Sequence, residues 1–241
     1  MEKVDKTPNH KFSLVDQVEN QLISYFKSMG LKPGDSIPNE LQLSKDLGVA
    51  RSVVREALSR FKMVGMIESH TKRGMVMTPI SLFGAMRDFL IPGMLDEDTI
   101  LDLLEFRVVL EIGISGMVFR NCNGRNLEEL KNIVGSGGAI NSNRYASDSE
   151  YAFHSKLYEI SGNNSIIEFQ KVIHPVLEFV EKKYNSYFEP IQKDLDSRGL
   201  HVTHKDLVDL LERRDLYGYK QAVEDHFKVY TIYLNSRKHI E

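Results

Sequence analysis

The sequence predicts a mainly α chain: a small N-terminal helical unit with a β wing, followed by an all-α bundle of six to seven helices. Three observations carry this. Two short helical patterns flank a tight turn at Gly48 and lead into two short strand-like segments around Lys72-Arg73-Gly74. From Ser81 onward no hairpin signal recurs and the apolar spacing is helical almost throughout. The charge is also uneven, because residues 1–78 hold 12 Lys and Arg against 9 Asp and Glu, while the whole 241-residue chain is net −3. A basic head on an acidic body fits a nucleic-acid-binding unit joined to one that does not touch nucleic acid.

Residues 1–11 are polar, carry both charge signs, lack the apolar core of a signal peptide and read as a flexible tail. Ser13 caps a helix over Ser13–Met29, with Leu14, Val18, Leu22, Ile23 and Phe26 at helical spacing. Gly30 ends it, and Lys32-Pro33-Gly34-Asp35 forms a turn. A helix over Glu40–Leu47, the Gly48 turn and a longer helix over Ala50–Val64 follow. Leu41, Leu43, Leu47, Val49, Val54, Leu58, Phe61 and Met66 are expected to face one small core. Arg51 and Arg55 lie four apart on the second helix and Arg60 flanks them, with Lys72 and Arg73 at the tip of the wing. Basic side chains at the start of a helix after a turn are what a recognition helix presents to DNA. The head, residues 12–79, thus reads as a winged helix-turn-helix, and residues 80–241 as the helical body.

In the body, Leu82–Leu90 is a short helix stopped by Pro92-Gly93, and Asp96–Asn121 is a long one striped by Leu101, Leu104, Val108, Ile112 and Met117. Asn126–Val134 is weaker and gives way to the loop GSGGAINSN. Helices over Ser147–Ser161, Ser165–Phe188, Ile191–Glu212 and Leu216–Ser236 complete the bundle. No apolar run approaches the length of a membrane span. A single cysteine, Cys122, excludes an internal disulfide and fits a reducing cytoplasm. There is no G-x-S-x-G elbow and no P-loop lysine after the Gly135–Ala139 glycines, so the chain is not read as an enzyme.

The ordered set Leu31-Lys32-Pro33-Gly34-Asp35, Ile37-Pro38-Asn39-Glu40, Leu47-Gly48-Val49, Arg51 and Val54-Arg55-Glu56-Ala57-Leu58, with Gly65 and Lys72-Arg73-Gly74, resembles the GntR family of bacterial transcription regulators. Phe106-Arg107 with Leu110-Glu111, Glu150 with Phe153-His154, Ser161-Gly162-Asn163, His204 with Asp215, and His226 resemble the FCD ligand-binding domain of its FadR subgroup. The resemblance implies a homodimeric repressor that binds palindromic double-stranded operator DNA and responds to a small organic acid. Arg51, Arg55, Lys72 and Arg73 are the DNA-binding candidates it supplies, and Arg60, which flanks them on the helix, joins the set. One departure concerns Leu41, where some relatives carry a further DNA-contacting arginine.

The resemblance also implies a divalent transition-metal site. Metal-binding members use an Asp, a His four residues later and two later His; His154, His204 and His226 match, with Glu150 in place of the Asp. Spacing of four places Glu150 and His154 on one helix face. Three imidazoles and a carboxylate suit zinc first, with nickel, manganese or iron as alternatives. Arg107, in an apolar stripe, is paired with Glu111 four residues on, a surface residue whose charge snorkels to water, or a carboxylate clamp for the effector, and the resemblance favours the clamp. Hydroxy acids and sugar acids fit such a cavity. The competing readings are a metal-responsive regulator, with the ion itself as signal, and a metalloenzyme-like domain tethered to DNA. His174 reads as a packing or capping residue; His10, His70 and His239 read as solvent-facing.

Overall fold

Helix α1 (Leu14–Ser28) starts where the sequence places its cap: the Ser13 hydroxyl accepts from the Asp16 N–H, and the Asp16 carboxylate accepts from the Ser13 N–H. The computed structural model describes residues 13–79, 81, 83–86, 89–136 and 147–238. The expected tail, His10, His239 and residues 137–143 of the expected glycine-rich loop lie outside the described residues.

Asn39 caps α2 (Glu40–Leu47), and Gly48 closes it at φ 67°, a left-handed conformation that costs a side-chain-bearing residue steric strain. After α3 (Arg51–Met63), strands β1 (Ile67–His70) and β2 (Gly74–Met77) pair antiparallel from Ile67–Met77 to His70–Gly74. Residues 34–37 add hydrogen bonds to β2 along its other edge, from Gly34 N–H to Met77 and from Ile37 N–H to Met75. The first unit (residues 1–85) encloses Val18, Leu22, Phe26, Leu43, Val54, Leu58, Phe61 and Ile67. Leu47, Val49 and Met66 pack against this core, but Leu41 does not: it is 53% exposed. Two residues before the fully buried Leu43, it sits about 200° away around the helix and points outward.

The second unit (residues 86–241) holds seven α-helices among the described residues: α4 (Glu97–Asn121), α5 (Gly124–Ser136), α6 (Ser147–Ser161), α7 (Asn164–Ser197), α8 (His204–Glu212), α9 (Leu216–His226) and α10 (Lys228–Lys238). Helix α4 packs on α6, α7, α9 and α10, and so forms the spine of the bundle. Four expectations shift. In place of a helix over Leu82–Leu90, the described residues there form only a 3₁₀ turn, Gly84–Met86. Helix α7 continues through Pro175 and Pro190 to Ser197. Each proline removes one backbone donor at a cost of roughly 3 kcal/mol, which the buried stripe of Val172, Ile173, Val176, Leu177, Val180, Tyr184 and Phe188 offsets.

The third shift decides the site. The helix expected over Ile191–Glu212 is broken, with Gly199 at φ 65° and a new start at Thr203, whose hydroxyl and Asp206 form a reciprocal capping box. His204 thereby becomes the first residue of α8 rather than a mid-helix residue. The expected last helix also divides, at Phe227.

Candidate metal centre and DNA-facing surface

On α3, Arg51 and Arg55 are more than half exposed, and both guanidinium groups meet Glu40 at the start of α2. The Arg51 Nε donates to Glu40 at 3.0 Å and the Arg55 fork at 3.2 Å. Partial burial works against the Glu40 charge, but these two cations hold its carboxyl below its ordinary range. One carboxylate thus steers both arginines while leaving them at the surface. Lys72 and Arg73 stand exposed in the turn between β1 and β2. Arg60 is placed differently: it meets Asp16 at 2.9 Å and Glu19 at 3.3 Å on α1, and Glu56 at 3.4 Å on its own helix. It braces α1 against α3.

In the second unit, α6, α8 and α9 deliver Glu150, His154, His204 and His226 to one point, where one ligand atom from each lies within 4.8 Å of all the others. The His154 Nε2 is 2.9 Å from a Glu150 oxygen, and the His204 Nε2 is 3.3 Å from both Glu150 and the His154 Nε2. Two ligands about 2.0–2.2 Å from one ion can stand at most about 4.4 Å apart. The cluster is therefore within a few tenths of an ångström of a coordination shell, and its donor set is one that zinc-group ions accept. His154 and His204 are each only 1% exposed.

The orientation of each ring has a cause. The His226 Nδ1 donates to the Val202 carbonyl at 2.8 Å, which leaves its Nε2 as the lone-pair nitrogen. The His154 Nδ1 donates to Glu111 at 2.5 Å, and the His204 ring stacks on Phe153 with centroids 4.0 Å apart. Burial together with the neighbouring His154 charge pushes His226 down to about 4, and burial pushes His204 well below its ordinary value. Both are therefore neutral, the form that binds metal. His154 is opposite: burial would lower it, but Glu111 and then Glu150 hold it up at about 9, so an ion taking its Nε2 would have to displace a proton there.

Glu111 is the residue of the cluster's surroundings that the sequence underplays, since spacing offers it only as a partner for Arg107. It is 3% exposed and accepts from the Arg107 Nε at 2.8 Å, His154 at 2.5 Å and the Tyr158 hydroxyl at 3.1 Å. Burial raises its pKa, but the His154 and Arg107 charges bring it down to about 2. Links to His154 and Tyr158, more than 40 residues away, have no periodic signature in the sequence. Arg107 takes the paired arrangement: its guanidinium faces Glu111 and, at 3.7 Å, Glu150, and lies 5.7 Å from the centre of the Phe227 ring. It lines a small pocket of about 20 Å³ with Glu150 and Glu181, two residues that also line the larger cavity beside the cluster.

That larger cavity, of about 180 Å³, is lined by Glu150, His204 and His226 of the cluster and by Glu181, Asn185, Phe188 and Gln192 of α7. It falls below the roughly 300–1,000 Å³ typical of drug-sized sites and suits a small metabolite. The Cys122 thiol lies away from it, and burial raises its pKa, which leaves it a weak nucleophile. His174 stacks on Tyr151 with centroids 3.8 Å apart, a packing role.

A winged helix-turn-helix with a basic third helix, joined to a helical bundle that buries a histidine–carboxylate cluster, is the architecture of a DNA-binding transcription regulator. Comparison with known proteins agrees. The FCD domain model matches residues 102–229, and the model for bacterial regulatory proteins of the gntR family matches residues 14–77. The chain belongs to the GntR family of transcription regulators, in the group with an FCD domain, and its relatives are regulators rather than enzymes. It is 28% identical to the uncharacterized HTH-type transcriptional regulator YcbG of Bacillus subtilis over 226 residues, which covers 94% of this chain and 91% of that one. It is 26% identical to the HTH-type transcriptional repressor NanR of Enterobacter sp. over 230 residues, covering 92% and 85%. The solved Streptococcus agalactiae GntR structure superposes with a TM-score of 0.54 at 23% identity, over 92% of this chain and all of that one, and it supports the fold.

Proposed function

We propose that this regulator is a cytoplasmic, homodimeric repressor whose hold on a palindromic operator is altered by a small organic acid at a divalent metal ion. The observation that carries the effector half is the buried Glu150–His154–His204–His226 cluster opening on a small cavity. Residues 12–79 read DNA, and residues 80–241 bind effector and dimerise. Arg51 and Arg55 contact bases or phosphates from α3, and Lys72 and Arg73 contact DNA from the wing. Arg60, engaged by three carboxylates, supports α3 from behind.

Glu150, His154, His204 and His226 would hold the ion, zinc in the first instance, while Glu111 orients His154 and the Val202 carbonyl orients His226. Bound there, the ion supplies an electrophilic position for the carboxylate or hydroxyl of a hydroxy acid or sugar acid. Arg107 acts on the effector through the Glu111 and Glu150 carboxylates that it steadies. Effector binding changes operator affinity only by its differential affinity for the DNA-competent and DNA-incompetent states.

The test pairs metal analysis and operator gel shifts of the wild type with those of Arg55→Ala and His154→Ala. Arg55→Ala should lose operator affinity but keep the metal; His154→Ala should lose the metal and any stabilisation by organic acids. Operator shifted by Arg55→Ala at wild-type concentrations would refute the recognition-helix assignment. Zinc that switches DNA binding with no acid present would make the ion the signal.

A further inference from the structure

Resting on the reading of α3 as the recognition helix, we infer that Leu41 is a further specificity-determining residue, which packs on the C5 methyl group of a thymine in each operator half-site. The evidence is the order of side chains around α2. Asp46 accepts a hydrogen bond from the Tyr25 hydroxyl at 2.7 Å and so marks the side turned to α1. Leu43 is fully buried, and Leu47 packs on the same core. Next around the helix, Glu40 receives both Arg51 and Arg55, and the Ser44 hydroxyl donates to the Val49 carbonyl at 2.6 Å, so this side is turned to α3. Leu41 comes about 100° beyond Glu40 and about 140° from Asp46. Lys45, four residues on, is exposed on the same face.

Leu41 is 53% exposed, so packing within its own unit does not account for it. The other large apolar side chains exposed in the described first unit are Leu14, Met29, Met63 and Val64, at the two ends of α1 and the C-terminal end of α3. Leu41 instead adjoins the carboxylate that gathers the α3 arginines. A helix-turn-helix presents the start of its second helix to base edges in the major groove, and Leu41 borders that start. Leucine can neither donate nor accept a hydrogen bond, so it distinguishes bases by apolar contact, and the thymine methyl is the apolar group the major groove displays. Covering the two removes apolar surface of both from water. Lys45 on the same face supplies a positive charge for an adjoining phosphate, which fixes register without reading sequence.

In vitro selection from random duplexes with the full-length protein supplies the operator probe. Each thymine of its half-site is then replaced, together with its symmetry mate, by deoxyuridine, which lacks the methyl group but keeps every hydrogen-bonding edge. At one thymine position the loss of both methyls should weaken wild-type binding about tenfold. In Leu41→Ala, which should melt with the wild type, the same replacement should cost less than about threefold. Wild-type binding indifferent to deoxyuridine at every position, or a loss as large in Leu41→Ala, overturns the contact. Arg55→Ala is titrated beside them. If it binds the selected duplex like the wild type, the recognition-helix reading falls; if it fails to bind while Leu41→Ala keeps full methyl sensitivity, the leucine contact alone falls. A wild type that enriches no sequence refutes DNA reading by the head, and this inference with it.

Discussion

Glu111→Gln is the substitution that most directly tests how the bundle organises its cluster. The side chain keeps its size and one carbonyl acceptor but loses its charge, at a point where the carboxylate meets Arg107 at 2.8 Å, His154 at 2.5 Å and Tyr158 at 3.1 Å. Removing one partner of a buried ion pair costs about 3–5 kcal/mol, and a retained acceptor for Arg107 puts the expectation at the lower end, about 3 kcal/mol. In a domain of this size, that lowers Tm by roughly 6–12 °C. Zinc affinity should fall by about 10–100-fold, the usual effect of losing the group that orients a metal-ligating histidine. Thermal unfolding with chelator present reads the first quantity, and a competitive zinc titration reads the second. A Tm within about 2 °C of wild type together with unchanged zinc affinity would refute the view that Glu111 organises the site. A stability loss with unchanged zinc affinity would restrict Glu111 to pairing with Arg107.

Three further predictions concern other parts of the molecule. Glu40→Gln releases Arg51 and Arg55 from their shared carboxylate, so binding to non-specific DNA should tighten while the specific-to-non-specific ratio falls in salt-dependent gel shifts; an unchanged ratio would show that Glu40 does not position them. Leu41→Ala should change stability by no more than about 0.5 kcal/mol, whereas Leu43→Ala should cost about 2–5 kcal/mol; equal losses in denaturant melts would return Leu41 to the core. Thr203→Ala removes the capping box at the start of α8 and should cost about 1 kcal/mol, with weaker zinc binding because His204 is the next residue; full zinc affinity would show that the α8 start is held without its cap.

The legible part of this protein is local. Helical periodicity, Ser13, Asn39 and Asp96 as caps, and Gly48 as a left-handed stop act within a few residues, so the sequence alone places most helices and the wing. The pairing of Glu150 with His154 is legible for the same reason, since spacing of four is a property of any helix. Where two local rules compete, tertiary packing arbitrates. Pro190 reads as a helix stop, yet α7 passes through it because Tyr184, Phe188 and Leu195 are buried on the same helix. The break that frees His204 falls later, at Gly199, with a new cap at Thr203. What only the folded bundle decides is long-range: the convergence of four candidate ligands from α6, α8 and α9, the use of Arg107 on Glu111, and the α7 side chains that line the cavity. Those contacts join residues tens of positions apart, and the burial that makes them strong exists only once α4, α6, α7 and α9 have packed.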